Sequence, residues 1–204
     1  LDWSIFHTMN GVLVHHEGGQ DAAQAFNASA IFVLVAIAGS IWFFARPGGP
    51  TRSKLAAVSA AAAGALALLI NLLLSQLWFH DRPFVDHPRQ TLLLVHHAAD
   101  NSFPSDHASL AFAIAFAVIA FHRRLGLLLL VGAACIGADR IFVGVHYPLD
   151  VLASLFVGLG AALIVTTVGR PSVKWTAEQL SRLSDPVVGA AAALIAALRH
   201  GRTM

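Results

Sequence analysis

Three short segments hold the residues of this chain best suited to chemistry. The first is His80-Asp81-Arg82-Pro83-Phe84 and the second is Phe103-Pro104-Ser105-Asp106-His107. The third runs Asp139-Arg140-Ile141-Phe142-Val143-Gly144-Val145-His146-Tyr147-Pro148-Leu149-Asp150. Arg82 and Arg140 offer planar guanidinium forks that match phosphate oxygens in pairs. Ser105 brings a hydroxyl and stands where a helix begins after Pro104, so the free amides of that turn add an anion site. Together these groups could hold the three equatorial oxygens of a phosphoryl group in transfer. Asp150 follows His146 by four residues, one helical turn away on the same face. A carboxylate there can bond one ring nitrogen and leave the other as an oriented nucleophile. His107 could then protonate the departing oxygen and later activate water. These are the parts of a phosphoryl-transfer site.

Such groups need a scaffold, and the composition says what kind. Of 204 residues 57% are hydrophobic and only 12% charged, with a mean hydropathy of +0.70. Soluble domains run near 45–50% apolar and about 25% charged. A water-soluble globule, a disordered chain, a collagen and a nucleic-acid-binding domain are excluded. The one cysteine, Cys135, lies in an apolar run and rules out a disulfide framework or a Cys-rich zinc site.

A transmembrane helix needs roughly 17–25 mostly apolar residues. Segments 22–45, 55–79 and 149–168 meet that length, and 125–145 meets it with Asp139 and Arg140 near one end. Segment 108–121 is short and reaches across only when 105–122 is counted. The expectation is an all-α polytopic membrane bundle of about five transmembrane helices and an N-terminal amphipathic helix. A short C-terminal helix stays open. Residues 1–204 read as one domain, with 1–20 interfacial, 22–168 the membrane core and 169–204 a cytoplasmic or interfacial tail. Gly18-Gly19 and the Arg-Pro-Gly-Gly-Pro stretch from Arg46 read as breaks between elements. No internal repeat, cleavable signal peptide or second domain is read.

Alternating loops sort the charges. One side holds Arg46, Arg52, Lys54, Arg123, Arg124, Arg170, Lys174, Arg182, Arg199 and Arg202, and the other only Arg82, Arg89 and Arg140. By the positive-inside rule the first side is cytoplasmic. Of the acids, only Glu178 and Asp185 fall on that side, and of the histidines only His122 and His200. All three candidate segments therefore face away from the cytoplasm, and the plasma membrane is the expected location.

Each candidate also has a plainer reading. Arg82 alone reads as an interfacial anchor, Ser105 as a helix cap, Asp139-Arg140 as an ion pair, and His146 with Asp150 as a helix-start pair. All of them on one face, with matching residue types, favour a site. His15-His16 and His96-His97 lack a metal-ligand spacing such as His-Glu-x-x-His, so no protein-bound metal and no cofactor is expected.

The three segments resemble the signature of the type 2 phosphatidic acid phosphatase superfamily, Lys-x6-Arg-Pro, Pro-Ser-Gly-His and Ser-Arg-x5-His-x3-Asp. The matching residues are Arg82-Pro83, Pro104-Ser105-x-His107 and Arg140-x5-His146-x3-Asp150. Four longer strings are similar to one branch, the bacitracin-resistance type of undecaprenyl pyrophosphate phosphatase. They are Arg82-Pro83-Phe84-Val85, His97-Ala98-Ala99-Asp100, Ser102 to His107 and His146-Tyr147-Pro148-x-Asp150-Val151-Leu152. The chain departs from the superfamily pattern at Ser75, where the lysine falls, at Asp106 for the glycine, and at Asp139 for the serine. Asp106 keeps a backbone amide toward the substrate and adds an acid. Asp139 either replaces a substrate contact or orients Arg82 or Arg140.

The resemblance implies a nucleophilic His146 positioned by Asp150, with His107 as acid and then base. Arg82, Ser105 and Arg140 would hold the phosphoryl group, and no metal would be required. It implies a polyprenyl pyrophosphate as substrate, cleaved to the monophosphate and inorganic phosphate to recycle a cell-wall lipid carrier. His80, Asp81, Asp86 and His87 are expected to line the entrance. One alternative is a phosphatase for phosphatidic acid, phosphatidylglycerol phosphate or a prenylphosphosugar. A lipid transporter or flippase is another, disfavoured because transporter charges gather at the bilayer midplane. A haloperoxidase is disfavoured because those enzymes are soluble. Oligomeric state is left open.

Overall fold

The computed structural model describes residues 1–45 and 48–200, and of 191–200 the backbone alone. Arg46 and Arg202 therefore lie outside the described residues, as do the side chains of Arg199 and His200. The described elements are helices only: α1 (Asp2–Gly11), α2 (Glu17–Ser40), α3 (Arg52–Leu77), α4 (Pro83–Asp86), α5 (Asp106–Ile119), α6 (Arg123–Phe142), α7 (Pro148–Thr167) and α8 (Arg170–His200).

Local chemistry sets several of the ends. Thr51 caps α3 by accepting from the Lys54 amide at 3.4 Å. Proline opens α4 and α7 at the first helical position, where its missing N–H costs nothing. Asp150 reaches back to the Tyr147 amide at 2.8 Å and caps α7. Gly18-Gly19, expected to be a break, lie inside the first turn of α2. The chain turns instead over 12–16, where Gln20 Nε2 donates to the Leu13 carbonyl at 2.8 Å and closes the turn.

Helices α2, α3, α6 and α7 are long and apolar enough to cross a membrane, and the chain is a multi-span membrane protein. With only 14 residues, α5 is shorter, and it is the most enclosed element. It packs against α3, α6 and α7 and is contacted by α2, so neighbouring helices rather than lipid surround it. The shared core is drawn largely from alanines, among them Ala60, Ala63 and Ala67 of α3 and Ala111, Ala115 and Ala117 of α5. Lipid is as apolar as leucine, so burial from water does not drive this packing. Small residues let backbones approach and gain dispersion contact. Phe32, Phe43, Leu72, Leu128 and Phe156 turn outward.

Two polar staples close the bundle at opposite ends. At the end carrying the candidate segments, α1 lies across the loops. Its Asn10 donates to the Leu92 and Phe142 carbonyls, both at 2.9 Å, and accepts from the Leu92 amide at 2.8 Å. Phe6 of α1 is fully buried against Tyr147, and Asp2 accepts from the Leu149 amide at 3.1 Å. At the other end α8 runs as one helix, where the sequence reading had only a short segment open. It is tied down by an ion pair between Asp185 and the buried Lys54, and Asp185 also accepts from the Gly48 and Gly49 amides. Those three donors hold the Asp185 carboxyl down at about 2.

The loop between α6 and α7 aims the histidine of the third segment. Gly144 takes φ +88°, a left-handed conformation that side chains resist. A Cβ there would lie 2.4 Å from the Leu92 carbonyl oxygen, so only glycine fits. The amides of Val145 and His146 then both donate to the Arg140 carbonyl, at 3.1 and 3.2 Å.

Candidate active site

The turn places His146 3% exposed beneath the loop that joins α4 to α5. Its Nδ1 lies 3.5 Å from Asp150 Oδ2 and 3.4 Å from Ser102 Oγ. Its Nε2 lies 3.2 Å from Arg82 Nη1. With the Nδ1 proton toward the carboxylate, Nε2 keeps a lone pair directed at the arginine. Asp150 is fully buried and its Oδ2 accepts from Ser102 Oγ at 2.5 Å as well as from the Tyr147 amide.

Burial pushes the His146 imidazole well down, to about 4, against the pull of Asp150, and the charges of Arg82 and Arg140 add to the lowering. The ring is neutral at physiological pH. The linkage has a definite sign. The unfolded ring protonates near 6.5 and the folded ring only near 4, so the unfolded state binds more protons in between. The contribution is whole above about pH 6.5 and is lost as pH falls toward 4, amounting to about 3 kcal/mol. Unfolding measured in detergent at pH 7 and pH 5 should show the loss for the wild type, and a smaller loss for His146→Asn.

Arg82 is more committed to protein than the sequence reading expected. Nε donates to Asp100 at 2.8 Å, Nη2 to the Asn101 carbonyl at 3.1 Å, and Nη1 to the Val145 carbonyl at 3.0 Å. It clamps the loop before α5 to the loop before α7. Arg140 is the opposite case. It is 3% exposed, and its Nε has no hydrogen-bond partner. Ser105 is fully buried, and its Oγ also has no partner, so it does not cap α5. Buried donors left unpaired are costly and rare. Of the four such side-chain atoms among the described residues, Ser105 Oγ lies just before α5 and Arg140 Nε near the end of α6, and the Arg140 charge reaches the His146 ring.

The start of α5 is fixed by α7. Ser154 Oγ accepts from the Ser105 amide at 2.9 Å and bonds the Asp150 carbonyl at 2.7 Å. That stitch holds Ser105 and His107 in register with Asp150. His107 lines a cleft of about 480 Å³ together with His146, Arg82, His97, Asp106 and Asn101. Leu68, Leu72, Phe79 and Phe103 form its apolar wall.

Asp106 stands exposed in this cleft and accepts from Asn71 Nδ2 at 2.7 Å, while Asn71 Oδ1 accepts from Ser109 at 3.1 Å. Asp139 is elsewhere. It is 7% exposed on the α2 side of α6 and accepts from Asn27 Nδ2 at 2.8 Å. Adjacent residues on a helix point about 100° apart, so Asp139 and Arg140 do not share a face. The carboxylate that orients Arg82 is Asp100. Of the residues expected at the entrance, Asp86 accepts from Tyr147 Oη at 3.0 Å and the His87 ring lies tilted against Trp3 with centroids 3.7 Å apart, so both hold neighbouring elements. His80 sits behind Asp150.

Ser102, Asp100, Asn101, His97 and Asn71 were given no role by the sequence reading. The first four lie in a coil with no periodicity to point to them, although Asp100, Ser102 and His97 fall in the strings that carried the resemblance. Asn101 does most of the tying. It accepts from the His80 and Phe103 amides and donates to the Ser75 and Trp78 carbonyls. Burial lowers the His97 ring, against its bond to the Ala98 carbonyl, and the two arginines lower it further.

Comparison with known proteins gives the family. The family model of the PAP2 superfamily matches residues 55–174. The chain is 39% identical over 160 residues to undecaprenyl-diphosphatase BcrC of Bacillus subtilis (strain 168), which covers 78% of this chain and 79% of that one. It is 38% identical over 167 residues to putative undecaprenyl-diphosphatase YbjG of Escherichia coli (strain K12), covering 78% of each. In fold it is similar to the crystal structure of Aquifex aeolicus LpxE, with a TM-score of 0.66 at 23% identity over 80% of this chain and 93% of the other. This membrane-spanning chain belongs to the PAP2 superfamily.

Proposed function

We propose that this protein hydrolyses a polyprenyl diphosphate, undecaprenyl diphosphate, to the monophosphate and inorganic phosphate through a phosphohistidine at His146. The observation that carries the reading is the pair of unpartnered buried donors, Ser105 Oγ and Arg140 Nε, the first stitched through Ser154 to the Asp150 turn and the second close enough for its charge to act on the neutral His146 ring. The relatives' names supply the substrate class.

Nε2 of His146 attacks the terminal phosphorus as the bond to the bridging oxygen breaks. Arg82 Nη1 exchanges the His146 lone pair for a phosphoryl oxygen, while Ser105 and Arg140 take the others. Asp150 supports the charge that builds on the imidazole. His107 gives its proton to the departing lipid phosphate. A water then attacks phosphorus, His107 takes a proton from it, and inorganic phosphate leaves with His146 restored. The apolar wall of the cleft suits an isoprenoid chain. The arginine-rich loops at the far end of the bundle support a cleft that opens on the extracytoplasmic face of the plasma membrane.

The test is phosphate release by purified protein in detergent, with and without excess EDTA. Undecaprenyl diphosphate is set beside phosphatidic acid, phosphatidylglycerol phosphate and a prenylphosphosugar. The expected result is the highest kcat/KM on the diphosphate, unaffected by EDTA. A preference for another lipid would overturn the substrate, and inhibition by EDTA would overturn a mechanism run by these side chains alone.

A further inference from the structure

His80 opens the first candidate segment but is not one of the residues that match the signature, and it lies outside the cleft lining, yet it is held by several bonds. Its amide donates to Asn101 Oδ1 at 3.0 Å, and its carbonyl accepts from the Ser102 amide at 2.8 Å. Its ring stacks on Tyr147 with centroids 5.1 Å apart. That pose sets Nδ1 3.3 Å from Asp150 Oδ1.

The two oxygens of Asp150 are thus divided. Oδ2 serves Ser102, the Tyr147 amide and the His146 ring, while Oδ1 serves His80. Two imidazoles share one buried carboxylate, one from each side. His146 is enclosed, whereas the His80 side chain is 35% exposed. The carboxylate must hold the His146 Nδ1 proton and balance the charge that grows on that ring during attack. A neutral His80 donates a hydrogen bond to Asp150 and steadies it. A protonated His80 cancels the carboxylate's charge, leaving less of it for His146.

We propose that His80 is a positioning residue that acts through Asp150 on His146, and that it couples the enclosed nucleophile to the proton concentration of the solvent its own ring touches. The charged and titratable groups facing it are Asp150 and Tyr147 at the start of α7, Asp2 of α1, its neighbour Asp81, and Asp86 through the Tyr147 hydroxyl. The proposal rests on His146 being the nucleophile, as in the function proposed above.

Two variants and two readouts test it. His80→Ala removes the donor and should lower kcat 10- to 100-fold with KM within about twofold. His80→Asn places an N–H where Nδ1 stood but cannot titrate. It should restore kcat to within about threefold of wild type at pH 8 and flatten the acid limb of the pH profile. The second readout needs no substrate. Exchange of the His146 ring C2 hydrogen, followed by mass spectrometry against pH, reports when that ring protonates. In His80→Asn its midpoint should move upward by about half a unit, because a competing positive charge beside Asp150 is gone.

A wild-type pH profile and an unmoved His146 midpoint in His80→Asn would overturn the proposal. So would a rise in KM at unchanged kcat, which would make His80 an entrance residue. Equal loss of activity in both variants with a fallen Tm would reduce it to a structural part. If no lipid is turned over by any form but the His146 midpoint still moves, the coupling stands and the proposed function falls.

Discussion

His146→Ala and the bulkier His146→Gln should both lose at least about 10⁴-fold in kcat and still fold. The turn that carries residue 146 is held by backbone bonds to the Arg140 carbonyl and by Gly144, none of which needs the imidazole. Arg82 keeps the Val145 and Asn101 carbonyls and Asp100 as partners when the ring is removed. His107→Ala should lose about 10²–10⁴-fold, the usual worth of a placed acid and base. The two variants differ in what they accumulate. Rapid quench with labelled diphosphate should trap a base-stable, acid-labile phosphoenzyme in His107→Ala and none in His146→Ala. Normal turnover by His146→Ala would end the phosphohistidine reading.

Arg140→Met should make the protein more stable and nearly inactive. The guanidinium is buried with Nε unpartnered, and the neighbouring Asp139 is turned away to Asn27. A buried charge whose nearest carboxylate is hydrogen-bonded elsewhere costs more than a well-packed apolar side chain of similar length. The gain should be about 1–3 kcal/mol, seen as a higher midpoint in thermal or chemical unfolding in detergent. Activity should fall at least about 10²-fold, the common cost of losing one transition-state donor. A phosphate analogue such as vanadate should stabilise the wild type markedly and Arg140→Met little, because the charge that weakens the empty protein is the one the anion satisfies. Loss of stability in Arg140→Met would mean that this guanidinium has a structural partner.

Much of this was legible in the sequence because membrane proteins write their elements in long apolar runs. The four long crossings follow from run lengths, and loop parity puts the segments of Arg82, His107 and His146, which share one cleft, at one end of the bundle. What was not legible lies where side chains replace periodic structure. Nothing in the coil before α5 marks Asn101 as the tie for four backbone groups, or Asp100 as the partner of Arg82. Asp139 could be read as a substrate contact or as the group that orients Arg82 or Arg140, and its bond from Asn27 of α2 could not be read, because nothing in the sequence pairs those two positions. Gly18-Gly19 misled for another reason. A glycine pair signals a break in a helix interior but is tolerated in a first turn, where no Cβ is needed. The length of α8 was hidden by Pro186 and by its mixed composition.

The shortness of α5 has a consequence for which phosphate esters can be used at all. Its 14 residues rise about 21 Å, against a hydrocarbon core of about 30 Å. Ser154, which bonds Ser105, lies six residues beyond Pro148, so the start of α5 sits about 9 Å below the rim of α7. The anion well is bored into the bundle rather than laid on its end. A head group lowered into it sheds most of its hydration shell on the way down. A lipid offsets that loss because its chain never leaves hydrocarbon, whereas a soluble ester has no such anchor. Depth itself, before any contact with the ester, selects for lipid phosphates over those dissolved in water.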